Sequence, residues 1–330
     1  MKALAICPLE VSENLVEDIL TKYPQREFKD VVYTLTSIYP IVHELGERAY
    51  VKKDPEAWSI VQKILYKLNR HFLTKGVDPT GDGNMIRYGV RGMLLKNERK
   101  AQPRVEVNFT DRQAFKQELI EKIESHPSAR HPLFDYIKAG KMTLENARCF
   151  IGNYQIITQI FHMNIAIQSY FSPFELRGMM YENLNDEFGN GDPEKVHMIT
   201  FDRLVERLEL PKDFPILDES YYLYNKMITL TAFSEFRYGL GALGALEFSI
   251  DDQLDIVSNG LSKLGLNEEE REFFTEHIEI DVGHGNQWLE SSLQAVNSKE
   301  DCEEILNGAL EILDARNVFL DGVWKAIQNR

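Results

Sequence analysis

A chain of 330 residues is long enough for two medium-sized domains, and a composition of 43% hydrophobic and 27% charged residues is that of an ordinary globular protein. A net charge of −15 and a pI near 5.1 argue against a general role in binding nucleic acid or an anionic membrane. Three widely separated cysteines, Cys7, Cys149 and Cys302, fit a reducing compartment and offer no disulfide framework.

The opening "MKALAICPLEVSENLVED" lacks the apolar run and cleavage site of a signal peptide, and no stretch approaches about 18 uncharged apolar residues of high hydropathy. The expectation is a cytoplasmic protein with a small-molecule partner, without nucleic acid or membrane. Helical periodicity dominates the chain. Residues 10–24, 28–48 and 54–75 read as amphipathic helices, followed by a loop over "KGVDPTGDGNMIRYG". Pro103 ends whatever precedes it, and "RVEVNF" reads as extended. Helices resume over 111–125, 131–139 and 143–170, the last opened by Thr143.

The second half is punctuated by "DEFGNGDPEKVH". Gly189 and Gly191 stop one helix; Asp192 caps the next, with Pro193 at its first position, which puts His197 in its second turn. A loop at 210–215 precedes a long helix over 217–249. Gly265 ends a further helix, and Asn267 with Glu270 forms a capping box for the following one. The architecture is all-α.

That last helix carries "HIEIDVGHGNQW". His277, Asp281 and His284 are four and then three residues apart, within roughly 40° of one face of a helix. A solvated polar stripe would give the same spacing. Glu247 follows the apolar run "GLGALGAL", with Leu240, Leu243 and Gly244 on the same face. An inward carboxylate there costs several kcal/mol unless it meets a cation, a proton or strong donors. Gly239, Gly241 and Gly244 each cost about 1 kcal/mol of helix stability, which a closely packed helix or space for a ligand would offset. Glu187 and His197 complete a set of three carboxylates and three imidazoles, although each could be an ordinary helix-end acid or core histidine. With no cysteine nearby, such a set suits a pair of iron or manganese ions. The paired Glu-x-x-His motifs of ferritin-like bundles are absent.

"DEFGNGDPEKVH", "GALE" and "HIEIDVGH", in that order, resemble the haem-oxygenase-like di-iron oxidases and oxygenases, and the resemblance covers about residues 113–330. It implies a haem-oxygenase-like seven-helix core over 113–330, with residues 1–112 as an additional N-terminal helical region suited to homodimer contacts. It implies Glu187, His197, Glu247, His277, Asp281 and His284 as ligands of two Fe(II) ions, which would react with O2 through a peroxo-di-iron(III) species.

Members of that family differ in chemistry. N-oxygenating members tend to carry a further metal-binding Glu on the helix before the first motif, whereas here no Asp or Glu lies between Glu145 and Glu175. This favours C–H or C–C bond cleavage of a small amino acid or carboxylic acid over N-oxygenation of a small amine or amino acid. A non-redox, thiaminase-like protein and an iron-binding helical protein are competing readings of the same residues. Gln155, Gln159, His162 and Arg237 are candidate substrate contacts, with core hydrogen bonding or a structural salt bridge as the competing roles.

Overall fold

The computed structural model describes residues 28–75 and 82–329, with side chains described throughout except at 28–34, 82, 83, 251 and 277–282. The helix expected over residues 10–24 and Cys7 lie outside the described residues. Every regular element among the described residues is helical, and no described helix is long and apolar enough to cross a membrane. The chain divides into two compact units, Met1–Arg104 and Val105–Arg330. The division falls after Arg104 rather than after Arg112.

The first unit holds α1 (Phe28–Gly46), a π-helical turn (Glu47–Val51), α2 (Pro55–Lys75) and α3 (Asp82–Ala101). The loop read over residues 75–89 is therefore helical from Asp82 onward. Ile86, Val90 and Leu94 recur at a helical spacing and are buried against Val61, Leu65 and Leu68. Tertiary burial of that stripe outweighs the helix penalty of its glycines. Gly89 is a packing point there, since a Cβ would stand 2.5 Å from Leu35.

The second unit begins with the extended segment around Val105, whose backbone pairs with the side chain of Asn307 in both directions, at 2.9 and 3.0 Å. Its helices are α4 (Arg112–Glu124), α5 (Pro132–Lys138), α6 (Leu144–Phe171), α7 (Arg177–Glu187), α8 (His197–Arg207), α9 (Asp218–Ala232), α10 (Phe236–Lys263), α11 (Glu272–Gln294) and α12 (Lys299–Gln328). Thr143 and Asn146 form the capping box that opens α6. Asn267 and Glu270 form another, at 2.8 and 2.9 Å, just ahead of α11, and Ser298 with Asp301 a third, at the start of α12.

The long helix expected over 217–249 is instead two. Phe233 leaves helical geometry and Glu235 is extended, so α9 ends at Ala232 and α10 runs on to Lys263. The Ser234 hydroxyl donates to the Thr229 carbonyl at 3.0 Å, satisfying one group at the broken end. The glycine run just after the break serves close helix packing. A Cβ at Gly241 would stand 1.9 Å from the Ile305 carbonyl oxygen on α12, and one at Gly308 would stand 2.1 Å from that of Tyr238 on α10. Thus α10 lies at the centre of the unit, backbone to backbone with α12 and against α11 on another side.

His131 caps α5 by accepting from the Leu133 amide through Nδ1 at 3.2 Å, while its Nε2 lies 3.1 Å from Asp321. Burial pushes its pKa down, against the opposing pull of Asp321.

This packing sets the cost of a methyl group at two glycines. Gly241→Ala forces it into a carbonyl oxygen and is expected to cost about 3 kcal/mol, the upper end of typical overpacking. Gly178→Ala on α7, where a Cβ would meet nothing within 4 Å, is expected to be neutral or stabilising by up to about 1 kcal/mol; thermal melts of both variants check this. His131 binds its proton less readily folded than unfolded, so its contribution to stability is complete above pH about 6.5 and is lost as pH falls toward the lowered folded value. His131→Asn keeps a cap acceptor that does not titrate. Melts at pH 7 and pH 5 should show a smaller drop for the variant than for the wild type.

Candidate metal centre

The turn between α7 and α8 positions the first pair of site residues. Gly189, Asn190 and Gly191 take φ values of 72°, 52° and 90°, a left-handed run that glycine adopts without steric cost. A Cβ at Gly189 would also stand 2.7 Å from the Lys195 backbone. The chain thereby doubles back, and Glu187, the last residue of α7, meets His197 at 3.1 Å from Oε1 to Nδ1. His197 is the first residue of α8 and not in its second turn. Asp192 caps only a short 3-10 turn, and Val196 is extended before α8 begins. Glu187 and His197 are both buried, which rules out the exposed helix-end acid.

Glu247 on α10 is turned inward and is 2% exposed. With Glu187 it lines a small pocket, partly open to solvent, whose remaining walls are Tyr154, Ile157, Thr158, Phe161, Ile250 and Phe273. Phe273 stands edge-on to the His197 ring with centroids 6.0 Å apart, and edge-on to Phe201 at 4.9 Å. Two carboxylates therefore share an apolar, aromatic recess in which charge is expensive to hold. A Cβ at Gly285 on α11 would stand 2.8 Å from the Phe248 backbone, so α11 passes close beside Glu247.

On α11, residues 277–284 are continuously helical, as the one-face spacing requires. The side chains of His277 and Asp281 lie outside the described residues. His284 is buried, and its Nε2 stands 2.7 Å from Asp186 on α7. The four described candidates thus come from two pairs of successive helices, α7 with α8 and α10 with α11, and the two pairs are remote from each other in sequence.

The candidate substrate contacts fare differently. His162 on α6 is half-buried and edge-on to Phe188. Burial lowers its pKa, and the nearby Glu187 carboxylate opposes that shift, which places the ring beside the site. Gln155 is half-buried and Gln159 exposed. Arg237 is engaged in a structural cluster. It reaches Asp301 at 2.9 Å, Glu304 at 3.3 Å and the Ala295 carbonyl at 3.2 Å, and its guanidinium covers the Phe236 ring.

Comparison with known proteins matches residues 150–317, just over half of the chain, to a family described as iron-containing redox enzymes. The chain belongs to that family. Among similar sequences, a 4-chloro-allylglycine synthase of Streptantibioticus cattleyicolor is 23% identical over 63% of this chain and 82% of its own length. A 4-aminobenzoate synthase of Chlamydia muridarum is 27% identical over 68% of this chain and 93% of its own. Among solved structures, a TenA homolog from Pseudomonas syringae superposes with a TM-score of 0.56 at 16% identity, covering 68% of this chain and 99% of its own. A domain with a haem oxygenase-like fold from Shewanella denitrificans gives a TM-score of 0.52 at 16% identity over 67% and 95%. The haem-oxygenase-like fold is thus confirmed.

For an iron-containing redox enzyme the donors present are chemically apt. Two buried carboxylates face one pocket, the buried His197 ring stands against Glu187, and the buried His284 ring lies against the neighbouring Asp186, a nitrogen and oxygen set without thiolate that suits iron. Among the described residues no three of these donors converge tightly enough to hold an ion; α11 also carries His277 and Asp281. Sequence reasoning overlooked Asp186 as a partner of His284, and it overlooked Ile157, Thr158 and Ile250 as pocket walls. Asp186 adjoins a candidate ligand, but nothing in its spacing marks a contact with a helix 98 residues further on.

Proposed function

We infer that the protein is an O2-dependent non-haem di-iron oxidase that cleaves a C–H or C–C bond of a small amino acid or carboxylic acid. One observation carries this reading: Glu187 and Glu247, from different helices, are both buried and line one pocket, with His197 against the first of them. Two metal ions would be held by Glu187, His197, Glu247, His277, Asp281 and His284. Bound iron would supply the means to activate O2 for oxidation of the substrate.

The chain's own residues do the rest. The aromatic and aliphatic walls, Tyr154, Phe161, Ile157, Ile250 and Phe273, bury the apolar body of a small substrate and keep bulk water from the reacting centre. Thr158 offers the pocket a hydroxyl. Among the described residues lining the pocket there is no Lys or Arg, so a substrate carboxylate would be drawn to the metal ions. Two relatives bear names that denote the making of an allylglycine and an aminobenzoate, which supports a small amino- or carboxylic-acid substrate. The face that α6 turns to the pocket carries Tyr154, Ile157, Thr158 and Phe161 and no carboxylate, in keeping with cleavage of C–H or C–C bonds over N-oxygenation.

Anaerobic Fe(II) titration of the full chain is expected to give about two bound equivalents. O2 uptake, screened against amino acids and medium-chain carboxylic acids, should then rise with one class of substrate. Glu247→Ala and His284→Ala should each abolish di-iron assembly with helical content by circular dichroism kept. Full iron binding and turnover in either variant would remove that residue from the ligand set, and a wild type that binds no iron would refute the reading.

A further inference from the structure

We propose that ion pairs between α8 and the start of α11 form a salt-sensitive latch that keeps α11 wound through residues 277–284; its bearing on metal binding rests on the di-iron reading above. Three rungs are seen among the described residues. Lys195, in the 3-10 turn before α8, reaches Glu276 at 2.7 Å. Arg203 reaches Glu272 at 3.1 Å and pairs also with Glu194, and Arg207 pairs with Glu270. As one side of the ladder climbs from 195 to 207, the other descends from 276 to 270. The two segments therefore run antiparallel, and all three rungs depend on one register. Behind the rungs Phe273 stands edge-on to Phe201 and to the His197 ring. The cations are 33–51% exposed and their acids on α11 and the turn before it 19–24%, so dissolved salt can screen the pairs.

The stretch below the latch is a poor helix by composition. "HIEIDVGHG", residues 277–285, combines β-branched Ile278, Ile280 and Val282 with Asp281, two histidines and the glycines 283 and 285, all weak helix formers. The residue before α11, Arg271, supplies no side-chain cap. Glu268, Glu269, Glu270 and Glu272 suit the positive end of a helix but repel one another. A helix so composed is held by tertiary contacts rather than by propensity. The cations of the α8 side meet that acidic start, and the last rung, at Glu276, ends beside the segment that carries His277, Asp281 and His284. Lys195, Arg203 and Arg207 are positioning residues in this arrangement, and none of them lines the pocket.

Backbone hydrogen exchange over residues 276–285 of the full-length, metal-free protein reads the latch, at one pH and at low and high sodium chloride. High salt is expected to speed exchange there by at least about 2-fold, and losing one rung by about 2- to 5-fold. A variant with Lys195→Gln, Arg203→Gln and Arg207→Gln should exchange fast at low salt and ignore added salt. Lys195→Glu and Glu276→Lys should each speed exchange, and the double variant, which restores the pair with its charges exchanged, should return toward wild type. Salt-independent exchange in the wild type overturns the proposal, and so does a double variant as fast as the singles. Anaerobic Fe(II) titration then asks whether the latch serves the metal site. Both single variants should bind more weakly, with recovery in the double. Tighter binding in Lys195→Glu beside weaker binding in Glu276→Lys would overturn that link, because it is the pattern of added charge alone. A wild type that takes up no Fe(II) refutes the di-iron reading instead, and exchange in the metal-free protein still decides the latch.

Discussion

The structure of the second unit turns on two carboxylates held inside an apolar bundle. Glu187 and Glu247 are 8% and 2% exposed and face the same recess. Desolvating a carboxylate costs several kcal/mol, and two like charges in one recess raise that cost. No arrangement of Phe, Ile and Tyr walls offsets it. The compensation must come from proton, donor or cation, and the surrounding imidazoles are the donors that a transition-metal site uses. A protein selected for stability alone would fill such a recess with hydrocarbon, so the two acids mark where function has taken precedence over packing.

Close helix approach is what allows the acids to meet. Glycines at 241, 285 and 308 let α10 touch α11 and α12 nearly backbone to backbone. The same approach holds Glu247 within the span of α11 and its histidines. The glycine run of α10 is therefore a packing device, and none of its glycines is among the residues lining the pocket. The left-handed turn after Glu187 has the complementary role of reversing the chain quickly enough for His197 to meet the acid that precedes it.

Several features could be read from residues alone. Capping at Thr143 and at Asn267 with Glu270 is a local contest for helix-end amides, decided within four residues. The inward carboxylate at Glu247 was legible because its stripe-mates Leu240 and Leu243 are apolar and helical geometry fixes what shares a face. Breaks proved harder. The separation of α9 from α10 at Phe233–Glu235 has no Gly or Pro to announce it, and the start of α3 at Asp82 runs against nearby glycines. In both places packing with other helices, invisible in a local window, outweighs local preference. For Arg237 the sequence left a substrate contact and a structural salt bridge as alternatives, and Asp301 and Glu304 from α12 decide for the salt bridge.

The sequence by itself determined an all-α chain, the helical register that aligns His277, Asp281 and His284, and the order of motifs shared with iron-containing redox enzymes. These are matters of periodicity and short-range chemistry. Only the tertiary structure decided that Glu187 and Glu247 face one pocket, that Arg237 is engaged by α12, and that Asp186 belongs to His284. Those pairings join residues 60 to 98 positions apart. A side chain's partner at that separation is set by how whole helices pack, which no spacing within a single helix records.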